Sequence, residues 1–209
     1  MPSLLGWAAI AALCLYLLAL AVGSWRLVAG GQQIWLFGRA RGWDSMAAMA
    51  FRLGFAFALL GPLSWLAFPG LHKIDLIWRE TARPAHDILG FALATLGAAL
   101  ALIAQSHMGA SWRVGVPQAD DPAAMGDLVT TGLFRISRNP TFLGQGMLLL
   151  GVALAIPSLP GWIGLFLFLV AANLQIRSEE RALSRRFGPR YATYQKTVPR
   201  WIGLRRSRQ

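Results

Sequence analysis

A single cysteine, Cys14, occurs in 209 residues, so neither an internal disulfide nor a cysteine-based metal site can be assembled. Acids are nearly as scarce: nine Asp and Glu stand against twenty Lys and Arg, and charged residues make up only 14% of the chain. With 56% hydrophobic residues, that scarcity excludes a disordered chain and argues against an ordinary soluble domain. The three histidines, His72, His86 and His107, lack metal-ligand spacing, and no metal is expected. No glycine-rich phosphate loop follows a strand, and no serine-nucleophile motif is present.

What the chain does have is apolar length. Segments 4–22, 46–68, 88–104, 140–156 and the stretch from 162 onward approach the roughly 20 residues that cross ~30 Å of hydrocarbon as a helix. The expected fold is therefore all-α: a polytopic membrane protein of about five transmembrane helices, with the lipid bilayer as its first partner. Residues 1–104 supply three spans, and 105–209 supply a loop, a helical hairpin and a basic C-terminal segment, all in one structural domain. The start, Met1-Pro2-Ser3, has no basic region of the kind that opens a signal peptide, so the first span is read as retained. Trp7 and Trp25 are placed as interface anchors, and residues 30–44 mix aromatics with Arg39 and Arg41 like an interfacial segment. Pro62 is expected to kink the second span, and the Ala and Gly of the third to permit close helix contact.

Charge orients the whole. From 177 to the end there are ten Lys or Arg and two acids. This block follows directly on a span and is not interleaved with polar and aromatic residues in a soluble fold, so no nucleic-acid partner is expected. It reads as a cytoplasmic retention signal touching anionic headgroups. Alternation then places the 105–139 loop inside and the 157–161 and 71–87 connections outside. The N-terminus falls outside as well.

Polar residues gather at both ends of the last hairpin. Proline suits the first position of a helix and asparagine the cap before it, so Asn139-Pro140 is expected to start the fourth span, with Asn139 as its N-cap. Such a terminus attracts anions, and Arg135 and Arg138 stand beside it; the plainer reading is two arginines snorkelling to headgroups. Glu179 lies 18 residues beyond Gly161, or ~27 Å along a helix, which brings Glu179 and Glu180 level with Asn139. Neighbouring helical residues differ by ~100°, so one carboxylate is expected to face the hairpin partner. Pairing with Arg181, Arg185 or Arg186 is the alternative. Gly188-Pro189 is expected to stop the helix. Tyr191, Tyr194 and Trp201 are spaced like interface aromatics. His107, Trp112 and Arg113 lie in the internal loop, from which they can approach the same place.

The pattern Gly132-x-x-Arg135-x-x-Arg138-Asn139-Pro140-x-Phe142-x-Gly144, followed by Glu179-Glu180-x-x-Leu183-x-x-x-Phe187-Gly188-x-x-Tyr191-x-x-Tyr194, resembles the isoprenylcysteine carboxyl methyltransferase family and its phospholipid methyltransferase relatives. The resemblance covers roughly residues 105–203. It implies an integral membrane methyltransferase using S-adenosyl-L-methionine in a cytosol-facing pocket, with a small lipophilic acceptor entering from the bilayer. Carried over, Leu133, Phe134, Arg135, Arg138, Asn139, Pro140, Phe142, Gly144, Glu179, Glu180 and Tyr191 would bind the cofactor. Arg138 and Glu180 would be catalytic, and His107, Trp112, Arg113 and Tyr194 would meet the substrate. Two positions depart from the family pattern: Asn139 stands where His is usual and Phe142 where Tyr is frequent. Asn cannot act as a base, and Phe has no hydroxyl to donate. The acceptor group (carboxylate, amine or thiol) and the oligomeric state stay open. Two other readings compete: an NADPH-dependent membrane reductase of the sterol reductase type, and a non-enzymatic membrane anchor or assembly protein.

Overall fold

In the computed structural model, residues 3–31, 42–68, 70–77, 84–109 and 126–203 are described. Among them the secondary structure is helical throughout, as the apolar runs predict. The five α-helices are α1 (Leu4–Ala29), α2 (Trp43–Ala67), α3 (Pro84–Met108), α4 (Pro140–Ala155) and α5 (Leu159–Thr197). Helix is the form in which a segment satisfies its own backbone groups in hydrocarbon, and α1, α2, α3 and α5 are each long and apolar enough to cross a membrane. α4 falls within one residue of the expected 140–156 segment and is the shortest of the five. Its 16 residues rise only ~24 Å.

Local signals set the boundaries. Ser3 caps α1, its hydroxyl accepting the Gly6 amide at 3.1 Å, and Ser158 caps α5 by accepting Gly161 N at 3.3 Å. Between α4 and α5 the chain turns in the three residues 156–158, and Asp75 braces that turn by accepting the Leu159 amide at 2.7 Å. Proline opens α3 and α4 at the position where its missing N–H costs nothing. Proline is also interior to α2, at Pro62.

Two glycine seams hold the bundle. In lipid no hydrophobic force drives helices together, so close backbone approach and the contacts it allows must do so. Between α3 and α4 the approach is tight: a Cβ on Gly97 would lie 2.4 Å from Leu148 N, and one on Gly144 would lie 2.5 Å from Ala101 N. Between α2 and α5, Gly164 packs on Gly54 and Ala58, and Gly61 on Pro160. α4 joins the two pairs, contacting α1, α2 and α5 as well as α3. The central rings Phe51, Phe55 and Phe168 pack at 5.2–5.7 Å between centroids. Beside them the buried Tyr16 hydroxyl accepts from the side-chain amides of Gln105 (3.0 Å) and Gln145 (2.6 Å).

This topology brings the start of α2, the end of α3, the start of α4 and the second half of α5 to one end of the bundle, with the arginines of the last hairpin. Gly144→Ala is expected to lower the melting temperature of the detergent-solubilised protein, since overpacking a tight contact costs about 1–3 kcal/mol. Gly23→Ala, with nothing within 4 Å of the added methyl and a better helix former in place, should not lower it.

A polar centre where two helices meet

The centre starts with Glu180. It sits on the face of α5 turned towards the start of α4, where Arg138 Nη1 lies 3.2 Å from Glu180 Oε1, both side chains being 11% exposed. Arg200 approaches from the other side. Its Nε donates to Glu180 Oε1 at 3.1 Å, and its Nη2 donates to Oε2. The carboxylate in turn pushes the Arg200 guanidinium further above its usual value, so Arg200 is charged at every physiological pH. One acid of the pair thus faces the hairpin partner, as helical geometry requires. The other, Glu179, accepts Gln175 Nε2 at 3.2 Å.

What brings Arg200 there is a bend that the sequence pattern did not disclose. Gly188-Pro189 does not end α5. At φ 47° and ψ −122°, a conformation that favours glycine, Gly188 kinks it, and the helix resumes through Thr197. Past the kink, Tyr191 and Tyr194 turn inward rather than anchoring at the interface. They are buried with Leu128 and Val198, with Leu183 and Phe187 packed against them. The Tyr194 hydroxyl donates to Phe134 O at 2.7 Å, which ties the resumed helix to the 3-10 turn Gly132–Arg135.

The chain then folds back along the entrance of α4. Arg138 N donates to Pro199 O at 3.0 Å, and Ser137 Oγ to Arg200 O at 3.3 Å. Asn139 donates its side-chain amide to Arg200 O at 3.0 Å. This corrects the expectation for Asn139: it precedes α4, but its side chain makes no capping hydrogen bond. Trp201, expected at the interface, packs against the main apolar core.

The remaining predicted residues fall into place unevenly. Leu133 is half-buried and Phe134 buried in the 3-10 turn, whereas Arg135 is exposed. Pro140 is buried at the first position of α4. Phe142 faces inward, its ring edge-on to Phe51 at 6.4 Å. Gly144 serves the α3–α4 seam. His107 comes close: its ring covers Gly132, where a Cβ would lie 2.8 Å from His107 Cδ2, and its Nδ1 donates to Ile103 O at 2.8 Å. Trp112 and Arg113 lie outside the described residues. Sequence reasoning missed Arg200, Ser137, Gln175 and Asp44, which accepts the Ser178 hydroxyl at 2.6 Å; of these only Arg200, one of ten basic residues in the tail, carried any signal.

Several polar atoms at this end of the bundle are buried and without a hydrogen-bond partner: Arg138 Nε and Nη1, Thr141 Oγ1 and Gln175 Oε1. Arg138 Nη1 is near Glu180 but off the hydrogen-bonding direction. Buried polar groups are almost always satisfied by protein, ordered water or a ligand, so these atoms are the ones at this end open to a further partner. An open cleft of about 790 Å³ adjoins it between α2 and α5, lined by Glu180 and Arg200 among others.

An integral membrane bundle with a paired arginine–glutamate centre at its basic end is the class these features define. The profile of the phospholipid methyltransferase family matches residues 85–190, just over half of the sequence, and the chain belongs to that family. Membership makes this a membrane methyltransferase by family, in line with the resemblance carried by the two motifs. A search of curated proteins finds no match.

A double-mutant cycle checks the centre. Arg138→Ala and Glu180→Ala are expected to be non-additive in thermal stability by about 1–3 kcal/mol, because they share a contact. Arg135→Ala combined with Glu180→Ala should be additive within about 0.5 kcal/mol.

Proposed function

We propose that the protein transfers a methyl group from S-adenosyl-L-methionine to a small lipophilic acceptor at the cytoplasmic face of the membrane. The observation that carries the reading is the unsatisfied polar cluster beside the Arg138–Glu180–Arg200 centre, at the meeting point of the two motifs. When bound, the cofactor supplies an electrophilic methyl group on a sulfonium.

The residues present suit that molecule. Arg138 Nε, buried and unpartnered, is a donor for a carboxylate. Gln175 Oε1 and Thr141 Oγ1 are open acceptors for an ammonium or an exocyclic amine. Glu180 contributes the negative charge that favours a cation nearby, and its two guanidinium partners fix its position. The buried Tyr191, with Leu128 and Val198, keeps water from the inner side of the centre. In such a dry, fixed environment the chain's contribution is alignment and electrostatics rather than proton transfer.

Acceptor chemistry follows from the same geometry. With two arginines on its oxygens, Glu180 is a base only if one of them lets go. A carboxylate acceptor needs no proton removed, whereas an amine would have to arrive neutral and a thiol already ionised. The buried donors also favour an anionic acceptor over a cationic one. The cytoplasmic placement rests on the ten basic residues from 177 onward.

Incubating the purified protein with methyl-labelled S-adenosylmethionine and a host lipid extract should give a labelled, organic-soluble product. Saturable binding of S-adenosylhomocysteine should weaken about 10- to 100-fold in Arg138→Ala, the loss that one charge-assisted hydrogen bond implies. Arg135→Ala should bind as the unaltered protein does. A folded protein that shows neither binding nor product would refute the assignment.

A further inference from the structure

Three polar side chains meet inside the bundle, away from the arginine–glutamate centre, and methyl transfer makes no direct use of them. Tyr16 of α1 is fully buried, and its hydroxyl accepts from Gln105 of α3 and from Gln145 of α4. Polar groups are costly to bury even when most of their hydrogen bonds are made. Here the account does not close, because Gln145 Oε1 has no partner. Apolar side chains of the same size would fill this space at less cost. What the polar ones supply is direction: a hydrogen bond is made at one separation and one angle, whereas apolar contact tolerates sliding.

The hydroxyl takes over where the glycine seam stops. Gly90, Gly97 and Gly144 bring the backbones of α3 and α4 together as far as Ala101. Gln105 lies one turn beyond Ala101, and Gln145 directly follows Gly144. Each helix runs on from there to one wall of the polar centre. On α4, Pro140 is five residues before Gln145, or ~7.5 Å along the axis, with Arg138 and Asn139 just ahead of it. On α3, the ring of His107, two residues past Gln105, lies against Gly132 and so seats the 3-10 turn whose Phe134 carbonyl receives the Tyr194 hydroxyl. The Tyr16 ring is held independently, stacked on Phe55 of α2 at 6.2 Å between centroids.

We propose that Tyr16 is a positioning residue for the Arg138–Glu180–Arg200 centre: by joining Gln105 to Gln145, its hydroxyl fixes the end of α3 against the start of α4 and so sets where Arg138 stands. Tyr16 itself touches none of the three charged groups. It acts through α4, whose entrance must sit within a fraction of an ångström for Arg138 to meet Glu180. α1 lies outside residues 85–190, to which the family match extends, so the role falls on a helix that the match does not reach. The placement of Arg138 holds whatever the centre binds; its consequence for S-adenosylhomocysteine rests on the methyl-transfer reading.

The test uses the full-length protein in detergent and Tyr16→Phe, which keeps the ring and removes the hydroxyl. The coupling between Arg138→Ala and Glu180→Ala in thermal stability, measured in the Tyr16→Phe background, should fall to less than about half its value in the unaltered protein. Affinity for S-adenosylhomocysteine should weaken about 3- to 10-fold, the loss of one neutral hydrogen bond's worth of alignment. Ile10→Ala opens a cavity in the same helix with the hydroxyl intact; it should lower the melting temperature and leave coupling and affinity within about two-fold. Gln105→Leu cuts only the α3 arm, should give an intermediate loss, and serves if Tyr16→Phe does not fold. Tyr16→Phe/Gln105→Leu/Gln145→Leu should regain the melting temperature lost in Tyr16→Phe without regaining the coupling. Undiminished coupling in folded Tyr16→Phe overturns the proposal, as does an equal loss of coupling in Ile10→Ala or full coupling in the apolar triple. If the unaltered protein binds no S-adenosylhomocysteine, the methyl-transfer reading fails, and the coupling measurement still tests the position of Arg138.

Discussion

Glu180 held between Arg138 and Arg200 is the contact on which the basic end of this protein depends. The Glu180 carboxylate and the Arg138 guanidinium, each 11% exposed, lose solvation that their mutual attraction restores only with good geometry, while Arg200 stays 37% exposed. Here the geometry comes from three separate pieces of chain: the entrance of α4, the middle of α5 and the segment after the kink. Any of them alone would leave an uncompensated charge. The triad is therefore better understood as a register device than as a source of net stability: it is satisfied in one arrangement of the three pieces and costly in others. The backbone bonds from Arg138 to Pro199 and from Asn139 to Arg200 repeat that arrangement without charge.

Precision at the polar end rests on rigidity deeper in the bundle. The α3–α4 and α2–α5 seams bring backbones into contact through glycine, so sliding one helix along its neighbour would drive side chains into main chain. α4 is gripped by the first seam and joined to α5 by a tight turn, which leaves its short length no freedom to shift. α4, at 16 residues, is the shortest of the five helices, and at its start Arg138 and Glu180 are largely screened from solvent.

The parts of this design legible in the sequence were those written in local spacing. Apolar run lengths fixed the helices. The 18 residues from Gly161 to Glu179 put the glutamates level with Asn139. The Ala and Gly content of the third span pointed to the α3–α4 seam. What stayed hidden depends on the chain returning from a distance. Gly-Pro reads equally well as a stop or as a kink with proline reopening the helix, and only the packing of Tyr191 and Tyr194 decides for the kink. Asn139 has the character of a cap, yet the Arg200 carbonyl competes for its amide and wins. Residues such as Ser137 or Gln175 acquire meaning only from partners that no periodicity names.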